Sequence, residues 1–327
     1  MTEALHLAAA NLLSPMVLFF VLGLCAALAR SDLEIPQPVA KMLALYLMLA
    51  IGFKGGVGVS EHGVDVRLVA SLLAAVVLSF AIPLVAFAFL RLTSTLPTVD
   101  GAAVAAHYGS ISVVTFAIAV DQLTGLDIGF EGYLVAVAAA METPAIISGL
   151  FLARRGGERR AADTSTTALL REVALNGSIV ALLGAFAIGW ATGSDGLKDV
   201  APLMVDPFKG VLCLFLLDMG LVAGRGLRRG LQDLRPPVLL FGLYMPLVGG
   251  AMGAGVAWLL GLSAGGAALL ITLAASASYI AVPAAMRLAL PEARPAIYLT
   301  LSLGITFPFN LALGIPLYIA VANAIAG

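Results

Sequence analysis

AAHYGSISVVT, residues Ala105 to Thr115, lies halfway along a hydrophobic segment and interrupts it with Gly109 and a cluster of hydroxyl side chains. A looser counterpart, AASASYIAVP at Ala274 to Pro283, interrupts another apolar segment far downstream with two serines, a tyrosine and a proline. A continuous helix hides its own N–H and C=O groups from lipid, whereas a broken one leaves several unpaired. Hydrocarbon admits such a break only where protein buries it or where it lines a polar cavity. Two breaks, one in each half of a chain, form the pattern expected of a transporter's substrate site near the membrane midplane.

The rest of the chain agrees with a membrane setting. Hydrophobic residues make up 61% of its 327 residues and charged residues only 11%, with a mean hydropathy of +1.04. A soluble chain carries about 25% charged residues, so an all-α polytopic membrane protein is expected. A net charge of −1 points to no nucleic-acid partner. Cys25 and Cys213 each sit inside an apolar run, which gives neither a metal spacing nor a disulfide framework. The first apolar run ends in an A-x-A pattern at Ala27–Ala29. Residues 1–12 contain no Lys or Arg to form the basic region of a signal peptide, so a retained first helix is expected.

Ten apolar segments can be marked, near 10–29, 38–56, 66–92, 100–121, 131–153, 171–192, 205–224, 236–260, 265–288 and 295–325. Each approaches or exceeds the roughly 20 residues that cross about 30 Å of hydrocarbon. If the loops alternate sides, 14 of the 18 Lys and Arg residues fall on one side and only Lys54, Arg67, Lys198 and Lys209 on the other. The positive-inside rule places the larger set in the cytoplasm and both termini outside it, in the inner (plasma) membrane of a cell.

A basic linker at 154–170 divides residues 1–153 from residues 171–327, five segments from five. An odd number per half turns the second half over in the membrane, which makes an inverted repeat possible. Three pairs of stretches echo each other in order: AIGFKGG (50–56) with LDMGLVAG (217–224), AIPLVAF (81–87) with YMPLVGG (244–250), and METPAIISG (141–149) with ITFPFNLALG (305–314).

Charge inside a membrane is costly, about 2.5–3.5 kcal/mol for Asp, Lys or Arg at a helix centre on insertion scales. Glu142, beside Thr143 and the helix-breaking Pro144, is expected to serve as a cation ligand or proton carrier. Asp218 and Lys54 are expected to hold helices together near a membrane face. Around the first break, Gly109 permits unwinding while Ser110, Ser112 and Thr115 offer hydroxyls beside freed N–H groups, and the half-helix that follows favours an anion at its N-terminus. Close helix packing would use the same small residues, although it explains less well why they gather with His107. Ser276, Ser278 and Tyr279 repeat the pattern before Pro283. In the last segment Ser302, Thr306, Pro308 and Asn310 make a third interruption, with oxygens suited to a hard cation. Pro83 and Pro246 are expected to kink segments three and eight. No catalytic triad, metal cluster or phosphate loop is present, and GFKGGVG lacks the P-loop spacing. An enzyme is therefore not expected.

These residues also resemble a known family. LLSPMVLFFVLG (12–23), the GFKGG turn (52–56), VDGAAVAAHYGSIS (99–112), METPAII (141–147), EVALNGSIVALLGAFAIG (172–189), DPFKGVLCLFLLDMGL (206–221), LAASASYIAVP (273–283) and IPLYIAVANAIAG (315–327) are similar to the sodium-dependent bicarbonate transporters, permeases of the SbtA type. The resemblance implies ten helices in two inverted repeats with broken helices four and nine crossing, a homotrimer, and bicarbonate taken up by symport with sodium. It implies an anion site between the breaks of segments four and nine, with sodium nearby and no further cofactor. Read from the residues themselves, Gly109, Ser110, Ser112, Thr115, Ser276, Ser278 and Tyr279 are expected to bind the substrate, and Glu142, Thr143, Thr306 and Asn310 the cation. Two departures stand out. Val113 and Val114 replace part of a Gly-Ser-Thr run, and Tyr279 stands where the family pattern has an Asp. A site altered in this way also suits a transporter of another small carboxylate or neutral solute, proton-coupled or uncoupled. A membrane sensor is a third class, but no loop is long enough for an output domain. The 154–170 linker is shorter than in typical cyanobacterial members, which argues against their PII-like regulator.

Overall fold

The computed structural model describes residues 12–63, 66–155, 175, 177–230 and 234–326. Residues 1–11 and most of the linker, on which the signal-peptide and linker readings fall, lie outside the described residues. Among those described, the chain forms helices joined by short turns. They are α1 (Pro15–Leu28), α2 (Gln37–His62), α3 (Val66–Thr93), α4 (Thr98–Gly109), α5 (Val113–Gly125), α6 (Leu134–Ala140), α7 (Glu142–Arg155), α8 (Gly177–Met204), α9 (Phe208–Gly230), α10 (Pro236–Leu260), α11 (Ala264–Ala274) and α12 (Ala281–Ala289). The last stretch, α13 (Pro295–Ile325), is helical throughout but widens into π-helix at Thr300–Thr306 and Asn310–Gly314.

Eight stretches are long and apolar enough to cross a membrane, counting α4 with α5 and α6 with α7 as one stretch each. The apolar helices α1 and α11 are shorter. Over the described residues, the expected segments overlap these helices. Two expectations need correction. GFKGG is no turn, because α2 continues through it to His62. Segment ten is not interrupted at Pro308 either: its helix widens on both sides of the proline, which relieves the clash and the missing N–H without unwinding.

The helices fall into two bundles. In one, α1 lies along α9 and α2 along α8, with α9 against α2. Glycine makes this approach possible. A Cβ on Gly23 would run into the backbone carbonyl of Leu217, and one on Gly220 into that of Phe20. Gly52 and Gly56 meet the Leu182 and Phe186 carbonyls of α8 in the same way. Small residues let backbones touch where lipid supplies no hydrophobic drive between helices. The other bundle gathers α3, α4 and α7 against one another and α10 and α13 around α11, and α5 packs on α11. On one face an ion pair crosses between the bundles: Lys209 Nζ of α9 lies 3.3 Å from Asp121 Oδ1 of α5. Lys54 belongs to the same group, its ammonium 4.7 Å from the centre of the Phe208 ring.

Two side-chain staples pin the starts of half-helices. Glu131 accepts from the Ser263 N–H (2.9 Å) and hydroxyl (2.8 Å) where α11 begins. On the start of α4, Asp100 accepts from the Arg294 N–H at 2.8 Å and from its guanidinium at 2.7 and 2.9 Å.

Candidate functional site

The two sequence breaks meet. Helix α4 stops at Gly109, the chain runs extended through Ser110, and Ser112 caps α5 by accepting from the Thr115 N–H. Opposite, α11 stops at Ala274 and α12 starts at Ala281, with Pro283 in its first turn, where an N–H is not needed. The Ser112 N–H donates to Ser276 Oγ at 2.9 Å, and the Ser278 N–H donates to the His107 carbonyl at 2.8 Å. Each break thus supplies a partner to a backbone group that the other exposes. Thr115 Oγ1 and Ser276 Oγ complete the set by donating to Ser112 Oγ and the Leu273 carbonyl, both at 2.8 Å.

Gly109 is in place for contact rather than for unusual dihedrals. A Cβ there would overlap the Pro83 ring and lie 2.7 Å from the Ser79 carbonyl. Pro83 therefore has a packing role: its ring is the surface against which α4 ends.

Beside the crossing, a cavity of about 10 Å³ is lined by Ser112, Val113, Glu142, Ser278 and Tyr279, with Met48, Ile111 and Ile280 closing it. Such a space holds roughly one water molecule, so a polyatomic ligand enters only if the walls move. Glu142 opens α7 at a kink after Met141 and is 3% exposed. Its Oε2 has no hydrogen-bond partner, and no Lys or Arg pairs with it among the described residues. Lys54 forms no ion pair with it. Ser110 Oγ and His107 Nε2 are also buried without partners, His107 being held by a 2.6 Å bond from Nδ1 to the Ala103 carbonyl and stacked on Tyr298. Tyr279 packs edge-on against Phe307 with ring centres 5.4 Å apart.

The helix ends give the crossing two signs of charge. The N-termini of α5 and α12 carry partial positive charge, and the C-termini of α4 and α11 carry partial negative charge. An anion and a cation can therefore lie side by side there, the cation at the carbonyl ends and Glu142, the anion at the N–H ends.

Of the residues expected to form the anion site, Ser112, Ser278 and Tyr279 line the cavity, while Gly109, Ser110, Thr115 and Ser276 build the crossing around it. Of the expected cation ligands, only Glu142 reaches the cavity. Thr143 is half-buried outside it. Thr306 donates to the Gly242 carbonyl at 2.7 Å and lies 2.6 Å from the Tyr108 hydroxyl. Asn310 donates to the Ala275 carbonyl at 2.9 Å and accepts from Tyr318 at 2.7 Å. Both thereby brace the crossing from behind. Sequence reading missed Met48, Ile111 and Ile280, whose apolar side chains carry no local signal. It also missed Ser79, whose hydroxyl donates to the Met141 carbonyl at the α6–α7 kink.

A model of the Na+-dependent bicarbonate transporter superfamily matches residues 15–323. The chain belongs to that superfamily. A comparison with curated proteins found no match. As a member of the Na+-dependent bicarbonate transporter superfamily, the chain is a permease rather than an enzyme. Its many apolar helices make it a multi-pass membrane protein.

Proposed function

We propose that this protein takes up bicarbonate together with sodium by alternating access, through ten membrane helices arranged as two inverted repeats of five. The single observation that carries the reading is the mutual bonding of the two breaks beside a buried, unpaired Glu142. Bicarbonate sits against the N-terminal ends of α5 and α12, with Ser110, Ser112, Ser278 and Tyr279 as donors. Sodium sits at Glu142 and nearby carbonyls, and its charge offsets the unfavourable burial of both the anion and the carboxylate.

Contact pairing supports the repeat. If α1 and α2 correspond to α8 and α9, the pairings α1–α9 and α2–α8 exchange under the repeat. The two staples exchange likewise: a residue ahead of α6 holds the start of α11, and a residue opening α13 holds the start of α4. The α1–α2–α8–α9 bundle is the scaffold, joining three copies in a homotrimer. The other bundle carries the site and moves against it, opening and re-forming the Lys209–Asp121 pair.

Uptake of labelled bicarbonate into proteoliposomes, with and without an inward sodium gradient at fixed pH, tests the function. Sodium-dependent accumulation is expected. No accumulation by folded protein would turn attention to another small solute, for which Val113 and Tyr279 in the cavity wall are the pointers. Ser110→Ala should raise the apparent KM for bicarbonate roughly fivefold, the equivalent of one hydrogen bond of about 1 kcal/mol. Loss of folded protein instead would assign Ser110 to packing.

A further inference from the structure

Away from the crossing, a cavity of about 310 Å³ opens on the Arg-rich face, between the turn that follows α3 and the starts of α10 and α13. Thr93, Ser94, Thr95, Pro97, Arg235 and Arg294 are among its walls. Arg294 is held by Asp100 but keeps a half-exposed side chain. Arg235 is exposed at the N-cap of α10 and makes no ion pair among the described residues. This polar cavity shares Thr93 and Pro237 with an apolar groove of about 350 Å³. The groove runs down α10 past Leu240, Leu243 and Leu247, and Phe309 of α13 also lines it. At their junction the Tyr244 hydroxyl lies 3.4 Å from Thr93 Oγ1, so the tyrosine turns its polar end to the cavity and its ring to the groove.

We propose that this compound site binds one anionic phospholipid, its phosphate at Arg235 and Arg294 and an acyl chain in the groove. Three features fit that occupant. The charge lies at the helix end, and the wall becomes wholly apolar below it. The groove's span from Pro237 to Leu247 covers about 15 Å of helix rise, half of the roughly 30 Å hydrocarbon thickness and so the depth of one leaflet. Basic pockets between transmembrane helices hold anionic headgroups in this way. A soluble phosphate ester would fit the polar cavity but would leave the groove without a use. The binding does not depend on what the protein transports.

Native mass spectrometry of the purified full-length protein tests this, with phosphatidylglycerol and phosphatidylcholine of identical chains as probes. Phosphatidylglycerol should be retained preferentially, and Arg235→Ala should lower its retention roughly fivefold while leaving phosphatidylcholine unchanged. Leu243→Trp, which fills the groove without touching the charges, should also reduce phosphatidylglycerol retention, and millimolar inorganic phosphate should not displace the lipid. Equal retention of the two lipids, an unaffected Arg235→Ala, or displacement by inorganic phosphate would each overturn the proposal. So would a change of oligomeric state in Arg235→Ala, which would make the face an interface between copies.

Discussion

Glu142→Gln is expected to abolish sodium-driven bicarbonate accumulation while leaving expression and oligomeric state intact. The substitution keeps the size and shape of a side chain that is 3% exposed, so packing around the α6–α7 kink is preserved. What it removes is the one carboxylate in the cavity wall. A cation there loses a charged ligand worth about 1.5–3 kcal/mol, roughly tenfold to a hundredfold in sodium affinity. Relieved of an unpaired buried charge, the Gln variant should be at least as thermally stable as the parent. Sodium titration of initial uptake rates and a thermal melt, run on the same preparations, read both effects. An unchanged sodium dependence would remove Glu142 from the cation site.

Gly109→Ala should cost more than its one added methyl implies. The Cβ would overlap the Pro83 ring and crowd the Ser79 carbonyl, both fixed parts of α3 rather than the end of a flexible side chain. Overpacking of this kind costs about 1–3 kcal/mol. Because α4 ends at Gly109, the strain would also displace His107 and Ser110, and with them the backbone bond to Ser278. Uptake should therefore fall even in the fraction that folds. Gly255→Ala is the matching control: that glycine lies inside α10 and a Cβ there meets open space, so helix propensity should make the change neutral or stabilising by about 0.5–1 kcal/mol. Equal melting temperatures for the two variants would show that α4 does not end against Pro83.

Much of the molecule was legible from the chain because a membrane leaves few choices. Lipid satisfies no backbone group, so the length and apolarity of each segment already mark a helix. Over the described residues most segment limits lie within a few residues of the helix ends, α2 and α9 run further, and the limit at 192 falls at the non-helical break that Gly193 puts into α8. The same constraint made the breaks after Gly109 and Ala274 visible, since hydroxyl clusters inside an apolar run have few other uses. Tertiary structure alone decided how the breaks are used. That Ser112 donates to Ser276, 164 positions away, follows from the crossing of half-helices, and no local pattern encodes it. The same holds for Thr306 and Asn310. By composition they matched cation ligands, yet their oxygens and nitrogens are taken up by Tyr108, Gly242, Ala275 and Tyr318. A polar side chain in hydrocarbon must find a partner, and residue type tells only that it will. Which partner it finds is set by which helices meet, and that depends on glycines such as Gly23, Gly109 and Gly220 admitting the backbone or ring opposite.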